Sequence, residues 1–332
     1  MMARGLTGRA WLVWPAAAVL ALAPLLFGDY WTGLLTQAVI FGGVAIGLDI
    51  LVGFAGMATL GHGAFFGLAG YGLALGVLRW GLNPWIAAGI GIAGSILVAL
   101  LFAPLATRVR GLAFLTVTLA FGQVVWGLAT RGGEATGGEN GLPGIPRPAL
   151  GPLDLGGADG FYLFTVACAA VITFLVVRFA GSAVGLSLIG VRDNEQRMAA
   201  LGYDTRRLRI VAFVVAAGVG ALYGALNAWF NGFVGPGTLD WRLSAQMLLS
   251  VVVGGAGSLW GPFVAGAGLH VLETYVAGAT QRWPMVLGLL YIASVVLLPG
   301  GIASLPGLIR GRRPGGRSGG RSGRRARTAG TP

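Results

Sequence analysis

Residues 189–226 read IGVRDNEQRMAALGYDTRRLRIVAFVVAAGVGALYGAL, and the stretch changes character at its middle. Its first half gathers Arg192, Asp193, Glu195, Arg197, Asp204, Arg206, Arg207 and Arg209. From Ile210 to Phe230 no formal charge appears. An uncharged, apolar run of about 20 residues crosses the hydrocarbon core of a bilayer as an α-helix. The stretch therefore reads as a water-facing loop feeding a membrane span.

Working outward, apolar runs of this kind recur at about Trp11–Phe27, Trp31–Val52, Met57–Leu78, Pro84–Ala103, Gly111–Thr130, Phe161–Val177, Ile210–Phe230, Leu243–Leu259, Gly261–Val276 and Pro284–Leu298. The chain of 332 residues is 55% hydrophobic and only 10% charged, with a mean hydropathy of +0.79. A soluble domain carries roughly 25% charged residues. The pattern predicts an all-α polytopic membrane protein of about ten spans. The 60 glycines fit helices packed closely through small residues. Residues 1–304 are expected to form the transmembrane domain.

Charge placement orients the spans. With Arg4 and Arg9 inside, the loop carrying Arg108 and Arg110 also falls inside, as does the charged loop 181–209. The loop 131–160, rich in Gly and Pro and bearing Glu134, Glu139, Asp154 and Asp159, falls outside. Eight arginines lie between Arg310 and Pro332 among Gly, Ser and Pro. Residues 305–332 are thus expected to be a disordered cytoplasmic tail, placing both termini in the cytoplasm. Arg79 and Arg282 run against the rule. Trp11–Phe27 resembles a signal peptide, but Pro24 follows the nearest small-residue site, Ala21-Leu22-Ala23, so the run is read as a retained first helix.

Composition also excludes chemistry. All 23 basic residues are arginine, so this chain has no lysine for a Walker A loop or a Schiff base. If ATP drives it, another chain binds the nucleotide. Two histidines and no convergent carboxylates argue against a metal site, no nucleophilic arrangement stands out, and no cofactor is implied. The lone Cys168 reads as a packing residue.

Two spans are broken by glycines: GFAGMATLGHGAFFGLAG, Gly53–Gly70, and VVVGGAGSLWGPFVAGAG, Val251–Gly268. Both carry G-x-A-G, at Gly53–Gly56 and Gly254–Gly257. Interrupted spans at corresponding places suggest two repeated halves around a central path, although glycine is common throughout. Gly56, Gly61, Gly254, Gly255, Gly257 and Gly261 mark these breaks. Polar residues within spans are Gln37, Asp49, His62, Gln123, Asn227, Gln246, His270 and Glu273, each costly in lipid and each a site hypothesis. Asp49, Gln123 and Asn227 read as helix–helix contacts or as lining of a path. The His62 ring, between two glycines, is expected to cap exposed backbone. His270 and Glu273, three apart on one helix face, are expected to hydrogen-bond.

The charged stretch is expected to form one short helix from about Val184 to Leu201. Val191, Asn194, Met198 and Leu201 then share a face, Asp193 pairs with Arg197, and Gly202 caps the C-terminus. Its acids favour a protein partner over a lipid surface; a solvated loop whose charges serve topology is the plainer alternative.

Residues 189–226 resemble the cytoplasmic loop and following helix of permease subunits of branched-chain amino acid ABC importers. So do GLDILVGFAGMATLGHGAFFGLAGYG (Gly47–Gly72), GLAFLTVTLAFGQVVW (Gly111–Trp126) with TGGENGLPGIPRP (Thr136–Pro148), and LLSVVVGGAGSLWGPFVAGA (Leu248–Ala267). The ordered set is similar to the LivM type, with urea and short-amide permeases as near relatives. Thr59 and Ser258 depart from residues common there but keep a hydroxyl. The resemblance implies a bacterial inner-membrane, non-enzymatic importer subunit. Its partners would be two ATPase subunits, a second homologous permease, and a periplasmic or lipid-anchored binding protein. The substrate would be a branched-chain or other small apolar amino acid. Coupling to the ATPase falls on Arg192, Asp193, Asn194, Glu195, Met198, Leu201 and Gly202. The rival is a carrier or channel driven by an ion gradient, with Asp49 or Glu273 as the ion-binding carboxylate.

Overall fold

A computed structural model describes residues 13–22, 24, 28–149, 155–297 and 300–304. The Arg-rich tail, 305–332, and the flanks of the first apolar run lie outside the described residues. The helices are α1 (Val13–Ala21), α2 (Asp29–Asp49), α3 (His62–Leu78), α4 (Pro84–Ala106), α5 (Leu112–Arg131) and α6 (Ala158–Ala180). Then follow α7 (Ala183–Asp193), α8 (Glu195–Ala200), α9 (Thr205–Asn231), α10 (Trp241–Gly254), α11 (Trp260–Ala279) and α12 (Trp283–Leu297).

Local chemistry sets these boundaries. Asn83 accepts from the Trp85 N–H at 2.9 Å and Pro84 fills the first helical position of α4, where proline's missing N–H costs nothing. Asp204 and Asp240 cap α9 and α10 in the same way. Gly232, at φ +62, ends α9.

Among the described residues, five helical stretches are long and apolar enough to cross a membrane: Asp29–Phe54, Pro84–Ala106, Leu112–Arg131, Ala158–Ala180 and Thr205–Asn231. His62–Leu78, Trp241–Gly254 and Pro284–Ser294 are shorter apolar helices. The protein is an all-α polytopic membrane protein. The fifth long stretch, α9, starts five residues before the apolar run read from sequence, because Asp204 caps it inside the charged segment.

Helices α2, α3 and α9 form the centre. α4 packs on α3 and α9, α6 and α11 pack on α2, α10 on α11, and α1 on α6. Small residues let backbones touch. A Cβ on Gly72 of α3 would sit 2.5 Å from the Gly91 Cα of α4, and one on Gly224 of α9 would sit 2.0 Å from the Phe66 carbonyl. A short antiparallel pairing, Leu142↔Val234 and Pro143↔Phe233, joins the α5–α6 connection to the end of α9. Arg147 holds the same end: it donates to the Gly156 and Phe230 carbonyls at 2.8 and 3.3 Å and lies over the Phe161 and Phe230 rings.

Candidate functional site

The charged segment folds as two helices rather than one. Asn194 takes an extended conformation, φ −160 and ψ 97, and its side chain accepts from the Arg197 N–H at 2.9 Å to start α8. An Asn oxygen competes well for a backbone N–H at a helix start, so a residue expected mid-helix becomes a cap. The break defeats the expected i,i+4 pair: Asp193 is bonded to Arg192 at 3.0 Å. It also splits the expected apolar face. Val191 is buried, Met198 folds back onto Gly190, and Leu201 is exposed. Gly202 caps α8 as expected. At φ +87 it donates to the Ala199 carbonyl at 2.9 Å while Tyr203 N–H reaches the Met198 carbonyl at 3.1 Å, the paired bonds of a glycine-terminated helix.

The acids do not face outward together. Glu195 Oε1 accepts from Arg110, Arg209 and Thr205 at 2.9, 3.0 and 2.9 Å. It pins α8 to the first turn of α9 and to the residue before Gly111, the N-cap of α5. Glu195, one of the acids expected to favour a protein partner, is therefore turned onto the protein's own arginines instead. Reversal would press a cation against Arg209, whose side chain is 9% exposed. What α8 and the turn after it expose is Gln196, Arg197, Ala199, Ala200, Leu201, Gly202, Tyr203 and Asp204.

Arg192 also points inward. Its Nη1 donates to the Gly53 carbonyl, its Nε and Nη2 to Asp193, and its stem covers Gly56. Here α2 runs into a π-helical turn, Ile50–Phe54, closed by Ala55 N–H to the Ile50 carbonyl at 3.1 Å. Residues 55–61 then cross to α3 without regular structure. Their backbone is satisfied by hydroxyls: Thr118 accepts from Leu60 N–H at 3.3 Å, Thr59 from Gly61 N–H at 3.1 Å, and Ser244 from Gly63 N–H at 2.9 Å. The His62 ring does not perform the capping expected of it. It is buried with Nε2 against Gly220, and that nitrogen has no hydrogen-bond partner among the described residues.

The second break meets the first. Asp49, fully buried, accepts from Gly257 N–H at 2.7 Å on one oxygen and from Leu259 N–H at 3.0 Å on the other. A Cβ on Gly53 would lie 2.1 Å from the Gly257 nitrogen. The fourth residue of each G-x-A-G has positive φ, Gly56 at +69 and Gly257 at +87. Gly254 and Gly261 touch: a Cβ on Gly261 would lie 2.1 Å from the Gly254 carbonyl. Gly255, at φ +97, lies against Gly300 and Gly301. Gly61 abuts the Thr118 carbonyl, 2.3 Å from its would-be Cβ. The structure thus gathers Asp49, Gly56, Gly254, Gly255, Gly257, Gly261 and Arg192 into one cluster.

Gln123 and Asn227 lie elsewhere. Gln123 is half-buried on α5. Asn227 belongs to a row of amides: Asn231 Nδ2 donates to Asn227 Oδ1 at 3.0 Å, Gln37 Nε2 to Asn231 Oδ1 at 3.3 Å, and Gln37 Oε1 meets His270 Nε2 at 3.1 Å. His270 also stacks on Phe41, and Glu273 accepts from Gln246 of α10. The expected His270–Glu273 bond is replaced by partners on neighbouring helices. Sequence reading missed Arg110, Arg209, Thr118 and Ser244. Arg209 stood at the start of an apolar run, and that position was the available signal. The hydroxyls carried none.

Residues 30–297 match the family described as branched-chain amino acid transport system / permease component. The LivM permease of the Escherichia coli high-affinity branched-chain amino acid transport system is 30% identical, over 87% of this chain and 74% of that protein. The LivM permease of Salmonella typhimurium is 29% identical over the same shares. The LivH permease of Salmonella typhimurium is 23% identical over 79% of this chain and 91% of its own length. No solved structure matches. With its apolar helices, its charged helix pair and a family match that spans nearly all the described residues, this chain belongs to the permease components of branched-chain amino acid transport systems.

Proposed function

We propose that this chain is the membrane-spanning subunit of an ATP-driven importer in a bacterial inner membrane, moving branched-chain or other small apolar amino acids. It does no chemistry itself. Ten spans, α1–α6 and α9–α12, form two repeated halves with both termini in the cytoplasm. Two ATPase subunits act from the cytoplasmic side, a second homologous permease completes the path, and a soluble binding protein delivers substrate from outside. Residues 1–304 form the permease domain.

The observation that carries this reading is the α7–α8 pair. Leu201 and Tyr203 are 67% and 48% exposed, while Glu195 and Arg192 lock the inner side onto α9 and the first break. A short rigid element with an exposed tip of mixed apolar and charged residues suits a cleft in another protein. Arg197, Leu201 and Tyr203 are the contacts assigned to that cleft; Asn194, Met198 and Gly202 shape the pair. The ion-gradient alternative needs a carboxylate free to bind its ion, whereas both oxygens of Asp49 are taken by backbone N–H groups and Glu273 accepts from Gln246. Like positive φ at Gly56 and Gly257 supports the two-halves reading.

The test is reconstitution of this chain with its ATPases and second permease in proteoliposomes loaded with ATP, with the binding protein and leucine outside. Uptake of leucine should be abolished by vanadate and should survive a protonophore. Uptake without the ATPase subunits, driven by an ion gradient, would refute the reading. Uptake of urea instead of leucine would keep the mechanism and change the substrate.

A further inference from the structure

We propose that Arg192 and Asp49 are positioning residues that carry motion of the α7–α8 pair to the second glycine break, and that the turn at Leu259 is the element that changes state. This rests on the proposed ATP-driven function and deepens it. Three consecutive links carry the inference.

The first link ties α7 to the π-helical turn. Arg192 lies one residue before the end of α7, with Nη1 on the Gly53 carbonyl and Nε and Nη2 on Asp193 at 3.1 and 3.0 Å. A guanidinium held on both edges has little freedom to swing, so α7 and Gly53 move together. The second link is within the turn itself. Asp49 and Gly53 are one helical turn apart, and Asp49 is fully buried. The third link crosses to the other break. Asp49 holds Gly257 N–H at 2.7 Å and Leu259 N–H at 3.0 Å, one on each oxygen. A carboxylate offers two acceptor oxygens where an asparagine offers one.

What Asp49 holds is a conformation that leucine resists. Leu259 has φ +60 and ψ −52, and Trp260 N–H bonds to the Ser258 carbonyl at 2.8 Å. This is the rarer, strained form of three-residue turn. Among the described residues no other non-glycine has positive φ. Strain of this kind persists where surrounding structure enforces it and collects at switch regions. Leu259 is also the N-cap of α11, which packs along α2. Withdrawal of Asp49 would let Leu259 relax to negative φ and re-aim the start of α11. The relay thus runs from α7 through Arg192, Gly53 and Asp49 to the foot of α11.

Amide hydrogen exchange on the assembled complex, with and without ATP plus vanadate, tests this. In the wild type, peptides covering α7–α8 and peptides covering 257–260 should both change. In Arg192→Met the α7–α8 response should remain and the 257–260 response should vanish; Arg192→Lys, which still reaches one carbonyl, should keep part of it. Asp49→Asn should leave 257–260 in fast exchange in both states. An equal 257–260 response in Arg192→Met and wild type overturns the relay while leaving the importer reading intact. If α7–α8 itself ignores ATP, the ATPase-contact reading falls and the relay with it. Should Arg192→Met fail to assemble, Leu259→Gly decides. Glycine accepts positive φ without strain, so the turn loses its reason to switch. Substrate moved per ATP should then drop about tenfold, within the usual range of coupling between sites; an unchanged ratio overturns the proposal.

Discussion

Replacing Glu195 with alanine removes three contacts whose weights differ. Arg209 is the costly one: its side chain is 9% exposed, and without Glu195 it becomes a buried guanidinium facing no carboxylate. Breaking a buried pair from one side costs about 3–5 kcal/mol, and the 18% exposure of Glu195 places this case toward the lower figure. The Thr205 hydroxyl, 2.9 Å away, adds about 1 kcal/mol. Arg110, 65% exposed, adds between ~0 and 1 kcal/mol because solvent screens it. The sum is about 4 kcal/mol. At roughly 2–4 °C per kcal/mol for a chain of a few hundred residues, the midpoint should fall by about 10 °C, read by tryptophan fluorescence on the purified permease in detergent. Arg110→Ala should barely move it. Glu195→Ala combined with Arg209→Leu should recover most of the loss, since an apolar pair replaces a broken ionic one. A Glu195→Ala midpoint within about 2 °C of wild type, or an Arg110→Ala effect of equal size, would refute the internal-pin account.

Gly202→Val should cost about 1–2 kcal/mol in thermal unfolding, because φ +87 is closed to a β-branched residue although no atom lies within 4 Å of its Cβ; Gly202→Asn should be milder, and equal effects would contradict the cap geometry. Gly53→Ala should abolish uptake, its Cβ falling 2.1 Å from the Gly257 nitrogen, whereas Gly89→Ala, with nothing within 4 Å, should transport normally. A reporter fused after residue 332 should register cytoplasm and one inserted at Gly157 the outside; both on one side would end the ten-span topology.

Legibility of the sequence followed the range of the forces involved. Apolar runs and caps act locally, so the start of α4 at Pro84 and the glycine stop at Gly202 were readable in advance. The G-x-A-G breaks were visible as interruptions, but their meeting was not. Asp49 and Gly257 are 208 residues apart, and nothing in either neighbourhood names the other. Short range misled where two local preferences competed. Asn194 was given a helix interior by its spacing, while its side chain was better used to start a new helix. The same error turned Glu195 from an internal pin into a surface charge, because the cations it meets, Arg110 and Arg209, come from other segments. His270 and Glu273 show the general case: spacing along one helix says which groups are able to meet, and packing from α2 and α10 decides that they do not.

The Arg147 clamp bears on how fast the proposed binding protein would be met. Its guanidinium fastens the start of α6 to the end of α9 through the Gly156 and Phe230 carbonyls, while the Leu142–Val234 pairing fixes the other side of that connection. A glycine-rich surface of this length would ordinarily lose conformational freedom on docking, at about 1–2 kcal/mol for each residue immobilised. Over residues 132–149 and 155–157 that entropy is surrendered during folding instead. The binding protein proposed above, docking on this face, would therefore meet a preformed footprint. Its dwell time would be set by side-chain complementarity, and its arrival rate would not be slowed by waiting for a loop to order. Arg147→Ala should show its effect in slower association before it shows any change in how long the complex lasts.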